Sequence, residues 1–354
     1  MINLKLLSKH RDLLFGLAII SILIFHFSED VKIAMFDDHL ISLFDKNLNI
    51  IQNSIYFLAI GFYVLIRSIG VEIFLLLSGM GLYWSYEKDQ NVKQFYKRRC
   101  NRILAPYLIT AIPFWIIRDF IIESNGIIEF IKHITFIALF TEGTISTWYA
   151  GFAMFTYLIY PLLYYLLFQT KHKNTIFLIL LASTIIIPAF TINISFVHNA
   201  EVAILRIPIF LIGCRLAPEI KNERKIDKRY LYIIFFTGLI IKLIFGFYYI
   251  PPFPLRMISA IWSLSLLAIF LIIANKIEKR PMKPAQIKCA KILKTAGFYS
   301  FELYLIHICI RNILKHCGIP TWSITIYFTI IILTFILTIP LQRLSTYLTK
   351  KVSK

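Results

Sequence analysis

The residues of this chain most able to do chemistry are ionisable groups set inside apolar runs. The segment GLAIISILIFHF, Gly16–Phe27, carries His26 almost at its end. A neutral imidazole accepts a proton on one ring nitrogen, and a carboxylate bonded to the other fixes which one. Glu72, in GVEIFLLLSG, is the carboxylate candidate. An ionisable side chain in hydrocarbon costs ~2.5–3.5 kcal/mol on insertion scales, so each one marks a functional contact or a route to the interface. At 1.5 Å per residue His26 lies about 22 Å along a helix from Arg11. With Arg11 at the inner surface, His26 falls in the outer half of a bilayer. Glu72, a few residues into a helix that runs inward, falls at a similar depth. Paired, the two make a general base with a fixed tautomer. Otherwise His26 is an interfacial histidine wetted by headgroups, and Glu72 a carboxylate that snorkels to the outer surface.

A second group of candidates binds anions. FYKRRCNRILAPY carries Lys97, Arg98, Arg99 and Arg102 ahead of Pro106. Arg98 and Arg102 are four residues apart and share a helix face. Guanidinium groups grip phosphates in bidentate fashion, while the competing reading is a topology anchor. GFYSFELYLIHI places Glu302 and His307 in one apolar run. Five residues turn a helix by ~500°, so these two stand ~140° apart, whereas Ser300, Tyr304 and His307 share a face. Helix-to-helix hydrogen bonding is the alternative there. Arg206, at the start of RIPIFLIG, and Trp148–Tyr149 complete the outer-half polar set, although Trp and Tyr at that depth also serve as belt residues. P-loop, GxSxG, HExxH and CxxC patterns are missing from the sequence, so the familiar ATPase, hydrolase and metalloprotease readings have no support and no metal site is expected.

The elements that position these groups follow from composition. Of 354 residues, 58% are hydrophobic and only 16% charged, with mean hydropathy +0.72. A soluble domain carries more charge. Apolar runs of spanning length recur along the whole chain, with no two-residue alternation of the kind a membrane barrel shows. The expected fold is all-α: one polytopic membrane helical bundle, residues 1–354, of about ten spans of ~20 residues each. The spans read as Leu13–Phe27, Ser68–Tyr86, Leu104–Ile122, Trp148–Phe168, Thr175–Asn193, Val202–Pro218, Tyr230–Ile250, Leu255–Asn275, Ala296–Leu314 and Trp322–Leu344. Ile55–Ile66 either extends the second helix or lies on the surface. Gly126–Leu139, with Glu129, Lys132 and His133 on one side, reads as interfacial or re-entrant.

The net charge of +19 would suggest nucleic acid in a soluble protein. Here the basic residues gather in short blocks such as KQFYKRRCNR, KNERKIDKR and KIEKRPMKPAQIKCAKILK, between apolar runs. Those blocks alternate with lightly charged connections, and the first of these, SEDVKIAMFDDHLISLFDK, is acidic. The positive-inside rule then sets both termini in the cytoplasm, with the first helix retained rather than cleaved as a signal peptide. The five cysteines, Cys100, Cys214, Cys289, Cys309 and Cys317, are scattered and suggest no disulfide framework.

Taken in order, these segments resemble the membrane acyltransferase 3 family, and the resemblance runs through nearly the whole chain. RDLLFGLAIISILIFH resembles the family's opening helix, which ends in a histidine implicated in catalysis. GVEIFLLLSG resembles the second-helix pattern that ends in Ser-Gly, here Ser78-Gly79. FYKRRCNRILAPY matches the basic segment before the third helix, and WYAGFAMFTYLIYPLL the fourth-helix pattern of tryptophan, tyrosine and proline. RIPIFLIG and SFELYLIH complete the order. Two positions depart. The family commonly has an arginine eleven residues before the histidine, where this chain has Phe15, with Arg11 one turn earlier. Glu72 stands where aspartate or an uncharged residue is common.

The resemblance implies a reaction. An acyl group, usually acetyl, passes from acetyl-CoA or another acyl-CoA, a co-substrate rather than a bound cofactor, to a hydroxyl of an extracytoplasmic or lipid-linked envelope glycan. It implies residence in the cytoplasmic (inner) membrane of a bacterium, with the lipid bilayer and the glycan as partners and no nucleic acid. His26 is then general base or transient acyl carrier, and Glu72 orients it. Arg98, Arg99 and Arg102, with Arg11, bind donor phosphates, while Glu302, His307, Arg206 and Trp148 line the path between. The rival expectation is a transporter or flippase for a polysaccharide precursor, against which stands the lack of paired broken helices in the sequence pattern. A third is an assembly protein of an export complex.

Overall fold

The computed structural model describes residues 1–35, 65, 69–143, 146–246, 252–279 and 283–352. The described chain is helical almost throughout. In chain order the main helices are α1 (Arg11–Met35), α2 (Ile69–Glu87), α3 (Val92–Trp115), α4 (Ile127–Ile134), α5 (Trp148–Tyr164), α6 (Lys173–Thr191), α7 (Ile207–Lys221), α8 (Lys228–Gly246), α9 (Pro252–Glu278), α10 (Pro284–Phe298), α11 (Ser300–His316) and α12 (Ile324–Val352). The one ladder among the described residues joins β1 (Ile2–Asn3) to β2 (Lys225–Ile226), antiparallel, with Ile2 opposite Ile226.

Seven described helices are long and apolar enough to cross a membrane: Arg11–Val31, Ile69–Glu87, Val92–Ile122, Trp148–Gln169, Lys173–Thr191, Phe253–Glu278 and Ile324–Thr349. They coincide with seven of the spans expected from sequence. The other three expected spans are not among these seven, and the last four positions of Tyr230–Ile250, 247–250, lie outside the described residues. α7 has only 15 residues, and α8 carries Lys228, Arg229 and the buried Lys242. The expected run Ala296–Leu314 is divided, because α10 ends at Phe298 and α11 begins at Ser300, with the Tyr299 carbonyl accepting from Leu303 N at 2.9 Å. The expectation for Ile55–Ile66 falls outside the described residues except for Leu65, whose carbonyl accepts from Trp262 Nε1 at 2.9 Å. α6 shows why hydrocarbon is the natural surrounding. Leu178, Ile179, Ile186 and Ile187 all lie exposed on it, and Phe190 is 85% exposed, a surface that water would not tolerate on a helix with so few charges. The chain is a multi-pass membrane protein.

Two compact units divide the fold, Met1–Leu77 with Pro218–Phe298, and Ser78–Ala217 with Tyr299–Lys354. In the first, α1 packs on α10 at glycine distance. A Cβ added at Gly16 would stand 1.9 Å from the Leu293 carbonyl oxygen, and one at Gly297 would stand 1.8 Å from that of Asp12. Small residues let backbones approach this closely, which is how helices gain contact where lipid tails remove the hydrophobic drive. α8 and α9 lie side by side, and Ser265 Oγ donates to the Ile234 carbonyl at 2.9 Å.

In the second unit α3 packs against α5, α11 and α12. Asn91 starts α3 by accepting from Gln94 N at 3.0 Å, a side-chain cap for an otherwise orphaned amide. Two of the proline-containing helices, α3 and α5, then widen. Pro113 precedes a π-helical stretch, Ile116–Ile122, and Pro161 precedes another, Tyr165–Gln169. Proline removes an amide donor and crowds the preceding turn, and the wider turn re-pairs the displaced carbonyls.

Candidate functional site

In the first unit, α1 carries His26 half-buried, and a carboxylate stands beside it on the same helix: Glu29 Oε2 lies 3.3 Å from His26 Nδ1. The spacing of three residues puts both on one face. Sequence reasoning named Glu72 for this role and passed over Glu29, although the pattern HFSE was visible as histidine and glutamate three apart. Glu72 is fully buried in the first turn of α2. At the start of α1, the Arg11 guanidinium donates through Nε and Nη2 to its neighbour Asp12 Oδ1 at 3.2 and 3.1 Å. It also lies 6.0 Å from the centre of the Phe15 ring, which in turn packs on Phe74 at 5.3 Å.

The second unit holds the remaining candidates. On α3 the three arginines have separate fates. Arg98 is turned outward and pairs with Asp89 at 2.8 Å. Arg99 is turned inward: its Nη2 donates to the Gly81 carbonyl at 3.1 Å, and its guanidinium stands 5.7 Å from the Phe95 ring centre and 5.5 Å from that of Tyr157. Arg102, one turn on, is exposed. Arg98 and Arg102 share a face by spacing, but Arg98 is committed to Asp89 and Arg102 is exposed, so Arg99 is the guanidinium directed at the interior groups.

A chain of polar and aromatic contacts links α2, α5 and α11 in this unit. Tyr149 OH and Ser78 Oγ are 3.1 Å apart, and Tyr149 meets Tyr304 edge to face at 5.4 Å. Tyr304 OH donates to the Ser146 carbonyl at 3.1 Å, and its ring lies 5.9 Å from His307. The shared face of Ser300, Tyr304 and His307 read from spacing is therefore real for the last two. His307 is fully buried, and its Nδ1 donates to the Leu303 carbonyl at 3.0 Å, which places a proton on that nitrogen. Arg206 is buried as well. Its Nη1 donates to the Val202 carbonyl at 2.6 Å, and its guanidinium lies 5.0 Å from the Trp148 ring centre. Trp148 is therefore the stacking partner of a buried cation, a role that a belt residue does not have. No group of three or more His, Cys, Asp or Glu among the described residues is arranged to hold a metal ion.

Ser78 and Tyr149 were named in sequence only as parts of patterns. Their hydrogen bond ties α2 to α5 across 71 residues of chain, a separation that no periodicity reveals.

No curated protein and no solved structure matches the chain. The acyltransferase 3 family, described as an acyltransferase domain, matches residues 12–343, from the residue after Arg11 on α1 to within α12, and so runs through both units. With seven described helices long and apolar enough to span a membrane and a match over nearly its whole length, the chain belongs to the acyltransferase 3 family and is a membrane acyltransferase.

Proposed function

We propose that this acyltransferase moves an acetyl group from cytoplasmic acetyl-CoA to a hydroxyl of an extracytoplasmic or lipid-linked envelope glycan, in the cytoplasmic membrane of a bacterium. About ten spans with both termini inside bring the basic blocks to the cytoplasmic face. The observation that carries the reading is the pair Arg99 and Arg102. Arg99 stands 5.5 Å from the Tyr157 ring centre on a membrane helix, and the exposed Arg102 follows it one turn on. Such groups suit the phosphates of a CoA thioester, with Arg11 as a further cation and Arg98 held by Asp89 at the rim. Arg206, Trp148, Glu302 and His307 then line the way taken by the pantetheine arm or the acyl group. His26 takes the acceptor hydroxyl proton as the oxygen attacks the thioester carbonyl. A C–O bond forms, the C–S bond breaks, and the proton ends on the departing thiolate. Glu29 and Glu72 are the carboxylates available to orient that imidazole.

Purified protein in lipid discs, given acetyl-labelled CoA and a glycan acceptor, should transfer label. His26→Ala should lower the transfer rate by at least a hundredfold at unchanged protein level, the low end of what a positioned base contributes. Transfer at the wild-type rate by that variant would remove His26 from the mechanism. Movement of intact glycan across the bilayer without any acetyl-CoA consumption would favour a transporter instead.

A further inference from the structure

An arrangement that the proposed reaction leaves unused lies at the far end of α3 in the second unit. Asp119 sits in the π-helical stretch after Pro113 and is fully buried. His133, on α4, is 3% exposed. Asp119 Oδ2 is 2.9 Å from His133 Nδ1, and Glu142 Oε2 is 3.2 Å from His133 Nε2. The Trp115 indole stacks on the imidazole at 4.2 Å with 5° between the planes, and the Arg118 guanidinium stands 5.0 Å from the centre of the Trp115 ring. On α4 itself, Lys132 pairs with Glu129 at 2.6 Å and reaches Glu142 Oε1 at 3.9 Å. Along the helix, twenty residues and about 30 Å separate this cluster from Arg99.

We infer that His133 is a positioning residue for acyl transfer: its doubly protonated ring ties Asp119 to Glu142 and so fastens the connection between α3 and α5 onto the end of α3. The inference rests on the acyltransferase reading above, because the far end of that connection enters the candidate site. Ser146 accepts from Tyr304 OH through its carbonyl and from Asn312 Nδ2 through its hydroxyl, at 3.1 and 2.6 Å. Trp148, two residues on, lies against Arg206.

Hydrogen-bond inventory decides the protonation state. Ionised carboxylates only accept, and a neutral imidazole has one N–H to give. Both contacts are attractive together only when the ring carries two protons. Asp119 is the more demanding partner. It is buried, and its Oδ1 has no hydrogen-bond partner among the described residues, so the imidazole supplies its balancing charge. Once the ring gives up one of its two protons, the N–H facing Asp119 is kept and Nε2 turns a lone pair towards Glu142. That contact becomes repulsive and the fastening opens. The charged groups around the ring are Asp119 from α3, Glu142 from the connection, and Glu129 and Lys132 from α4, with Arg118 beyond the indole. Of these, only Lys132 is left to hold Glu142, from 3.9 Å.

Glu142→Gln separates this device from ordinary packing, because an amide N–H donates to a neutral Nε2 where a carboxylate repels it. In lipid discs, wild-type acyl transfer should fall as pH is raised. Glu142→Gln should keep its rate at least one pH unit further. His133→Gln should show no imidazole-dependent limb at all, with kcat lowered more than KM is raised. Hydrogen exchange of backbone amides 135–143 gives a second readout that needs no substrate. It should speed up with pH, beyond the intrinsic base catalysis, in the wild type and not in Glu142→Gln. Identical pH profiles and identical exchange in wild type and Glu142→Gln overturn the inference while leaving the acyltransferase reading intact. The expected exchange pattern with no acyl transfer in any sample supports the bridge and overturns that reading of the reaction instead.

Discussion

Alanine at Gly297 tests the tightest helix crossing in the first unit. A Cβ there would stand 1.8 Å from the Asp12 carbonyl oxygen, and one at Gly16 would stand 1.9 Å from that of Leu293. Ordinary contact begins at 3.4 Å, so the deficits are 3.4 − 1.8 and 3.4 − 1.9, or 1.6 and 1.5 Å. Both obstacles are main-chain oxygens inside helices, which cannot swing aside as a side-chain tip would. α1 and α10 must therefore part, and overpacking of this kind costs ~1–3 kcal/mol. One separation relieves both clashes. The double variant Gly16→Ala with Gly297→Ala should therefore cost little more than the worse single change, a coupling of ~1 kcal/mol or more between the two sites. Gly81→Ala is the control: nothing lies within 4 Å of a Cβ there, and alanine is favoured over glycine in a helix by ~0.8–1 kcal/mol. The assay is reversible unfolding of the purified protein in mixed micelles, followed by tryptophan fluorescence. Additive losses in the double variant, or a Gly297→Ala protein as stable as Gly81→Ala, would refute the reasoning.

Two further outcomes follow from single contacts. The Asp89 carboxyl is held below the usual carboxylate range, chiefly by the hydrogen bond from Arg98, with the Asn91 amide adding to it. What this group contributes to stability is present above its unfolded titration and is lost as pH falls through its depressed folded one. Arg98→Gln should move that loss to higher pH, read as an upward shift in the carboxyl carbon titration of Asp89 by NMR. Arg206→Lys keeps a charge but loses the planar stack on Trp148 and the fork that reaches the Val202 carbonyl. A double-mutant cycle with Trp148→Leu should give ~0.5–2 kcal/mol of coupling in unfolding measurements. A coupling near zero would return Trp148 to the belt.

Hydropathy carried most of the fold because, in a membrane, burial inside lipid needs only length and apolarity, which a single segment displays. Seven spans were legible for that reason. Where a helix pays for function with charge, the signal fades. α11 carries Glu302, His307 and Arg311 over 17 residues, and the sequence merged it with the end of α10. Local spacing also served where partners sit on one helix, as for Tyr304 and His307. It failed where the partner comes from elsewhere: Arg98 shares a face with Arg102, yet Asp89 in the preceding turn claims it, and Arg99 turns inward to Gly81, Phe95 and Tyr157.

The His133 cluster shows the same limit from the other side. The partners of His133 precede it by 14 residues and follow it by 9, on two other elements. The sequence displayed a short amphipathic stretch with Glu129, Lys132 and His133 apparently on a wetted side. The structure instead exposes Ile127, Ile128 and Ile131 and buries the histidine. An eight-residue helix that exposes its isoleucines and hides its imidazole is held by what the imidazole binds, because hydrophobic burial alone would turn it the other way in water. If those isoleucines rest on the membrane surface, both orientations of the helix offer them an apolar contact, and only the one adopted also gives buried Asp119 its counter-charge. The ion pair thereby selects a single register for α4, and with it the direction in which the chain re-enters at Trp148.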